Sequence, residues 1–199
     1  MATYKSIRYN VDYGGKAGAL IPLSTFTSDG SDDDASFDSS LITSDYDEYL
    51  FIINNIHAEE DGDGKFTFNL SVDNGSNYNV TKTTTNYQAE HDEGNTSAQF
   101  LYKLGDDLAQ GTGFQALNAA GIGNDNDQCI SGFLILYNPS STTFVKHFLS
   151  STNAYQDNNT SNNSYMAGYG NTTTAVNNVQ FKLSSGEIQG GTIQLFGVH

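Results

Sequence analysis

Two short stretches of the sequence carry enough oxygen-bearing side chains to suggest a calcium site. Residues 59–64 are Glu-Glu-Asp-Gly-Asp-Gly, and residues 124–127 are Asn-Asp-Asn-Asp. A calcium loop of the EF-hand type needs glycine at its sixth position and glutamate at its twelfth, between two helices. Neither stretch has this spacing, and Asp and Gly are also the residues that tight turns require. We therefore predict solvated turns here and no metal site.

Catalysis would need a nucleophile, an acid–base pair or a cofactor loop, and no pattern in the sequence specifies one. His57 and His91 lie near acidic residues, but Ser and Asp are so frequent in this chain that such neighbours arise by chance. A Gly-x-Ser-x-Gly nucleophile elbow is absent, and residues 121–123 lack the third glycine of a dinucleotide loop. The histidines are too far apart in the sequence for a zinc motif. We predict no catalytic residue, no cofactor and no enzymatic activity.

Three tyrosines, Tyr155, Tyr165 and Tyr169, lie in or beside a segment rich in Asn, Ser and Thr. Aromatic side chains among small polar residues are typical of surfaces that contact proteins or sugars. The spacing of Tyr165 and Tyr169 also fits one face of an ordinary strand. Both interpretations stay open, and the three tyrosines are candidate binding residues.

Alternation of apolar and polar residues runs through most of the chain and predicts β-strands. Residues 65–72 place four apolar side chains on one face, and the Asn74-Gly75 pair that follows predicts a tight hairpin turn to a strand at 78–84. Residues 49–53 and 133–137 are apolar at successive positions. Such runs predict central strands that are covered on both faces.

The remaining segments complete an all-β pattern. We predict a hairpin partner for the second apolar run at 142–149, further strands at 165–169, 178–183 and 191–198, polar loops at 28–40 and 151–164, and short helices at 106–110 and 114–119. The predicted core residues are Phe66, Phe68, Leu70, Phe133, Ile135, Phe181, Ile193 and Leu195.

Short strands separated by frequent turn signals indicate a sandwich or a barrel. We predict an all-β fold, with one β-sandwich over residues 1–199 that is closed as a jelly roll. Cys129 is the only cysteine, so no intrachain disulfide can form. Because it adjoins an apolar run, we expect a buried thiol.

The charge of the chain limits its partners. There are 23 acidic residues against 8 basic ones, which gives a formal net charge of -15. Such a surface repels the phosphates of nucleic acids and anionic membranes, so neither is expected as a partner. The sequence has no apolar run that could cross a bilayer and no secretory signal at its start. We expect a protein that is made and assembled in a cytoplasm.

Several motifs resemble small virion proteins of tailed phages, especially marine and cyanobacterial ones. They are the opening Tyr-Lys-Ser-Ile-Arg-Tyr-Asn at 4–10, Gly-Ala-Leu-Ile-Pro at 18–22, Tyr-Asp-Glu-Tyr-Leu-Phe-Ile at 46–52, and the closing Gly-Thr-Ile-Gln-Leu-Phe-Gly at 191–197. The resemblance implies a non-enzymatic structural protein, localised to the virion, whose partners are other virion proteins. It also implies a homo-oligomer, most commonly a trimer.

The role within the particle has two main alternatives. A decoration or cement protein would bind the outside of the capsid, whereas a tail-fibre or receptor-binding module would meet the host surface through a glycan. The chain shows no heptads and no repeated shaft, which favours decoration. A cellular carbohydrate-binding, lectin-like domain is a third alternative.

The cations are concentrated near the start of the chain. Lys5, Arg8 and Lys16 are three of the eight basic residues, and this asymmetry would let one end dock while the acidic remainder faces solvent. We therefore predict that residues 1–23 anchor the protein to the virion or to neighbouring subunits, unless they are simply the first strand of the sandwich. The candidate contact residues of this segment are Tyr4, Ile7, Arg8, Tyr9 and Tyr13.

Overall fold

The computed structural model describes residues 20–62 and 64–198, and every regular element in these ranges is a β-strand. The strands are β1 (Leu20–Thr27), β2 (Ala35–Phe37), β3 (Glu48–Ala58), β4 (Phe66–Ser71), β5 (Lys82–Asp92), β6 (Ala98–Tyr102), β7 (Ala109–Gly111), β8 (Gln115–Ala116), β9 (Ile130–Tyr137), β10 (Lys146–Tyr155), β11 (Thr160–Gly170), β12 (Asn178–Leu183) and β13 (Ile188–Val198). The all-β prediction is confirmed.

The strands form two antiparallel sheets that pack together as a β-sandwich. The larger sheet has nine strands in the order β1-β13-β3-β9-β10-β11-β5-β6, with β7 also pairing with β5, and the smaller sheet has the order β2-β12-β4-β8. A jelly roll arranges eight strands in two Greek keys. The division into nine and four strands does not confirm the predicted jelly-roll closure.

Aromatic rings fill the space between the sheets. Phe181 in β12 lies at their centre: its ring centroid is 5.1 Å from that of Phe51, 5.7 Å from Phe66, 6.1 Å from Phe37 and 6.3 Å from Phe68. Edge-on and offset contacts at these separations are the favourable arrangements for aromatic pairs. The smaller sheet is thus joined to β3 of the larger one by a continuous aromatic core. Six of the predicted core residues are buried, namely Phe66, Phe68, Leu70, Phe181, Ile193 and Leu195.

The other two predicted core residues, Phe133 and Ile135, are not in the core. Both are only partly buried in β9, whereas Leu134 and Leu136 of the same strand are completely enclosed. An uninterrupted apolar run contains no alternation, so its sequence does not show which set of side chains points inward. The prediction that these central strands are fully covered on both faces is wrong for β3 and β9, because only one face of each is fully buried.

The Asn74-Gly75 pair forms the predicted turn, but the turn does not join two neighbouring strands of one sheet. Both residues have positive φ, 60° and 80°, as a type I′ turn requires. One backbone hydrogen bond, from Val80 N–H to the Leu70 carbonyl at 3.4 Å, connects the two arms. The chain then leaves the smaller sheet and enters the larger one as β5. The turn prediction is confirmed, and the predicted hairpin is wrong.

Three further sequence predictions are corrected. No helix occurs in the described residues; the segments predicted as helices contain the short strands β7 and β8. The segment predicted as a polar loop at 151–164 holds the end of β10 and the beginning of β11. Cys129 is only half-buried, with its thiol 3.8 Å from the Asn55 amide oxygen, and burial together with Asp127 raises its pKa.

Candidate functional site: the outer face of the larger sheet

The larger sheet has one face against the smaller sheet and one face turned away from it, which we call the outer face. The strand registers align two adjacent rows of side chains across this face. One row runs Phe196, Leu50, Ile135, Leu149, Ala167 and Thr85. The next runs Gln194, Ile52, Phe133, Ser151, Tyr165, Tyr87 and Tyr102. Each row is mostly apolar or aromatic, and none of its members is fully buried.

An aromatic cluster lies at the β11-β5-β6 end of these rows. The rings of Tyr87 and Tyr165 are stacked, 5.2 Å apart and inclined by 15°, and Phe100 lies 5.4 Å from Tyr87. Tyr102 is the cross-strand partner of Tyr87. The four side chains, which we call the aromatic platform, expose between 37% and 71% of their surface. Cross-strand pairing explains their proximity, because directly opposed side chains on one face lie about 5 Å apart.

A shallow groove of about 400 Å³ opens beside the two rows. Tyr169 and His147 form part of its wall, with their rings 6.1 Å apart, and Tyr137 lines it from β9. Ala167 leaves the space open, because its side chain is small. Burial and the neighbouring Glu48 raise the pKa of Tyr137, so its phenol stays protonated and can donate a hydrogen bond.

A second pocket of about 380 Å³ lies at the far end of β10, lined in part by His91, Glu93 and Tyr155. The single proton of the Tyr155 hydroxyl is within reach of two acceptors, the Glu93 carboxylate at 3.0 Å and the Asn159 amide oxygen at 3.2 Å. Burial raises the Tyr155 pKa, as do Glu93 and, more weakly, Asp127 and Asp125. Because its hydroxyl already has two partners, Tyr155 presents mainly its ring to a ligand.

The outer face is nearly free of charge, although the chain is strongly acidic. Among the described residues that the registers place on this face, Glu48 is the one carboxylate, and there is no Lys or Arg. Two further carboxylates reach its margins: Asp107 accepts from the Tyr102 hydroxyl at 2.6 Å, and Glu93 from the Tyr155 hydroxyl. Most of the other described acidic residues lie in connections between strands, including those at 29–34, 59–61, 106–107 and 124–127. Mutual repulsion at one of these connections is visible at Glu187, whose pKa is raised by burial and by Glu59 and nearby aspartates.

The three predicted tyrosines of the C-terminal half all lie on the outer face. Tyr155 is on β10, and Tyr165 and Tyr169 are four residues apart on β11. Both interpretations of these tyrosines apply, because their side chains lie on an ordinary strand face and that face is exposed to solvent. Of the predicted anchor at residues 1–23, only Leu20 to Leu23 are described, as part of β1. The five predicted contact residues of this segment lie outside the described residues; they are Tyr4, Ile7, Arg8, Tyr9 and Tyr13.

Sequence reasoning missed Tyr87, Phe100, Tyr102, Tyr137 and His147. Tyr87 and Tyr102 belong to strands whose pairing depends on the whole fold, and β6 was not predicted at all. The one available signal was composition, since Ala98–Tyr102 contains two aromatic residues and a leucine, which favour strands.

Two lysines are buried away from the outer face. Lys82 in β5 and Lys146 in β10 are the two cross-strand neighbours of Gly170, which lies between them in β11. Neither lysine is accessible to solvent. Lys82 Nζ donates to the Asn69 amide oxygen at 2.5 Å and to the Val80 carbonyl at 2.7 Å. Lys146 Nζ donates to the carbonyls of Phe144 at 2.6 Å and Thr172 at 3.2 Å.

Neither buried ammonium has a carboxylate among these partners. Burial lowers the pKa of Lys82 to about 7 and also lowers that of Lys146, because a low-dielectric interior disfavours the charged form. Both amines are enclosed and hydrogen-bonded to the protein itself. We therefore assign them a structural role.

Within residues 20–62 and 64–198, no three side chains of His, Cys, Asp or Glu come together in a way that could hold a metal ion. The same ranges contain no helix of the length and apolarity needed to span a membrane. Comparison with known proteins found no matching family model, no matching curated protein and no matching solved structure.

Proposed function

We propose that this protein is a non-enzymatic structural component of a tailed-phage particle and that it assembles through the outer face of its larger sheet. The observation that carries the proposal is an exposed, nearly uncharged face on a chain with a net charge of -15. The virion context rests on the sequence resemblance at residues 4–10, 18–22, 46–52 and 191–197. The outer face supplies a surface with which such a protein could bind a partner.

An apolar face of this kind is costly to leave in water. Each square ångström of apolar surface removed from water contributes about 25 cal/mol, and contiguous exposed apolar patches on soluble proteins commonly mark interaction sites. Interface cores are also enriched in Tyr and Phe and depleted in Asp, Glu and Lys. The row that contains Phe133 and Tyr165 has this composition.

Within the particle, decoration of the capsid is the role we propose. A broad sheet face suits contact with another protein, and the acidic connections that remain exposed would keep decorated particles apart by repulsion. Electron microscopy of particles that contain the protein tests this placement directly. Hundreds of copies over the capsid lattice are expected, whereas density confined to the tail would contradict decoration.

A pair of matched variants tests the outer face itself. Tyr165→Glu places a charge on the aromatic platform, and Ser76→Glu places the same charge in the exposed turn after β4 of the smaller sheet. We expect Tyr165→Glu to reduce the copies per particle at least tenfold and Ser76→Glu to leave them unchanged. Equal incorporation of the two folded variants would contradict a role of this face in assembly.

Recognition of a host-surface glycan is a second candidate, favoured by the groove beside the rows. The tilted rings of His147 and Tyr169 beside the Thr83 and Thr85 hydroxyls are a combination that suits a sugar ring, which has an apolar face and polar edges. This function would place the protein in a tail fibre or a lectin-like module. Binding to a glycan array that is lost on Tyr169→Ala and kept in Phe144→Ala would support it; absence of binding by the wild-type protein would remove it.

A further inference from the structure

We infer that the partner on the outer face is a second copy of this chain, so that the outer faces of two copies pack against each other. The inference deepens the proposed function and rests on the assembly role that it gives to this face. Three features of the described residues support a second copy over a different protein: the area of the face, its uncharged centre, and the arrangement of its two halves.

The area of the outer face is that of a stable protein interface. The pairing path of the larger sheet contains eight strands, hence seven spacings, and at about 4.8 Å each they give a width of about 34 Å. Strands of about eight residues at about 3.3 Å per residue give a length of about 26 Å. The product is about 900 Å², close to the roughly 800 Å² that each partner contributes to an interface of standard size.

The charge distribution selects a partner without charge on its contact surface. A basic partner would be matched by acidic side chains across the face, but its carboxylates lie at the margins: Glu48 at the start of β3, Asp107 on the Tyr102 hydroxyl and Glu93 on the Tyr155 hydroxyl. An acidic partner would be matched by Lys or Arg, which the registers place nowhere on the described part of the face. A second outer face meets the requirement, because its centre is equally uncharged and the acidic groups of both copies stay at the edge of the contact.

The side chains of the face are arranged so that its two halves can cover each other. The half on β13, β3 and β9 carries Leu50, Ile52 and Ile135 together with Phe133 and Phe196, and the other half is the aromatic platform. In a twofold contact, residue i of one copy meets residue j of the other and the reverse contact occurs as well. The β13-β3-β9 half of each copy would therefore cover the platform of its partner.

Small side chains mark where the twofold axis would pass. Ser151 and Ala167 lie between the two halves, on adjacent strands β10 and β11. They lower the surface there, so that the bulkier residues on either side can interdigitate when two sheets pack about 10 Å apart. The result would be a third sandwich layer formed by two molecules.

Sedimentation equilibrium of the full chain at about 50 µM and moderate salt tests the inference. The wild-type protein is expected at twice the mass of one chain. Tyr165→Glu and Tyr87→Glu each introduce two carboxylates into the contact, one from each copy. Each variant is therefore expected to weaken association at least a hundredfold. Ser76→Glu adds the same charge on the smaller sheet's side of the molecule and should remain a dimer.

Circular dichroism and a melting curve of each variant establish that it is folded; both tyrosines are more than one-third exposed, so their replacement leaves the core intact. Three results would each overturn the inference: a monomeric wild type, a dimer that both charge variants retain, and a trimer. A trimer would do so because three copies cannot meet through one self-complementary face. The proposed function is tested separately by incorporation into particles. A monomeric wild type whose Tyr165→Glu variant still fails to incorporate would leave that function standing.

Discussion

At the scale of single residues, the buried lysines are the side chains with the largest departure from their ordinary chemistry. Lys82 loses its hydration on folding and gains the oxygens of Asn69 and Val80. Polar neutral partners only partly replace water for an ammonium group, which is why its pKa falls from 10.5 to about 7. The amine is therefore a source of pH-dependent stability.

The sign of that dependence follows from proton binding. Between about pH 7 and pH 10.5 the unfolded state binds more protons at Lys82 than the folded state, so its contribution to the free energy of unfolding rises with pH. Below about pH 7 the amine is charged in both states, and the full cost of burying the charge opposes folding. The slope cannot exceed about 1.4 kcal/mol per pH unit for one group.

Replacing Lys82 with Met removes this dependence. We expect the free energy of unfolding of Lys82→Met, relative to wild type, to increase as the pH is lowered from about 9 to about 6.5, because only the wild type has to bury the charge. Urea titrations at several pH values measure the difference. Lys103→Met controls for the loss of one positive charge at a partly exposed position. A difference that is constant over this range would show that the buried amine does not titrate there.

Phe68 tests the aromatic core. Its side chain is fully enclosed, with its ring 5.1 Å from Phe148 and 6.3 Å from Phe181. Phe68→Ala is expected to lower the free energy of unfolding by about 3–5 kcal/mol, from lost burial and the cavity that remains. Phe144, which is 68% exposed, provides the control: Phe144→Ala should change it by less than about 0.5 kcal/mol. A loss below about 1 kcal/mol at Phe68 would mean that this face is not core.

At the scale of strands, irregular pairing fixes how the last strand fits into the sheet. The β13-β3 register shifts on both sides of Gly190, and Gly191 has a φ of +103°. A β-carbon at Gly191 would lie 2.4 Å from the Asn55 carbonyl oxygen. Glycine is required here both by the backbone conformation and by the approach of the neighbouring strand.

Gly191→Ala should therefore destabilise the fold strongly. We expect a loss of more than about 2 kcal/mol, since the substitution combines backbone strain with a clash against main-chain atoms. Gly113→Ala is the matched control, because no atom lies within 4 Å of the position its β-carbon would take; it should be neutral to within about 0.5 kcal/mol. Equal melting temperatures for the two variants would contradict the assigned role of Gly191.

The same scale shows which parts of the fold could be predicted. Residues 178–183 alternate clearly and form β12 with the predicted bounds. Residues 151–164 were predicted as a loop because Ser, Thr and Asn dominate, yet β11 buries Asn162 and Ser164 on its inner face. Their side chains hydrogen-bond to Gln88 and to each other. Buried polar groups are tolerated when they are paired, and the pairing comes from β5, some seventy residues away in the sequence.

At the scale of the whole molecule, the sequence could predict the class of fold but not the division between the sheets. Strand periodicity is a local property and indicated a sandwich. The partner of each strand depends on contacts across the chain, such as β1 with β13, which join the first and last described strands. The outer face depends on those contacts as well, because Tyr87, Tyr165 and Tyr102 come together only through the order β11-β5-β6. Composition predicted Tyr155, Tyr165 and Tyr169 as binding residues, but it did not predict that they share one face of a sheet.

The whole-molecule arrangement also bears on the predicted anchor at residues 1–23. The described strands begin at Leu20, and β1 pairs with β13 from Leu20 to Thr27. The C-terminal part of the predicted anchor is therefore a strand at the edge of the larger sheet. Deletion of residues 1–16 removes the three basic residues and all five predicted contact residues of the segment while leaving β1 whole.

We expect the deletion variant to keep its fold, with a melting temperature within about 3 °C of the full chain, a shift that corresponds to less than about 1 kcal/mol for a domain of this size. If residues 1–16 anchor the protein, the folded variant should still self-associate through its outer face but should no longer join particles. Sedimentation and particle incorporation measure these two properties independently. Lys5→Gln and Arg8→Gln together, in the full chain, separate the contribution of charge from that of the apolar side chains. A deletion variant that folds and is incorporated at the wild-type level would eliminate the anchor and leave the outer face as the proposed surface of assembly.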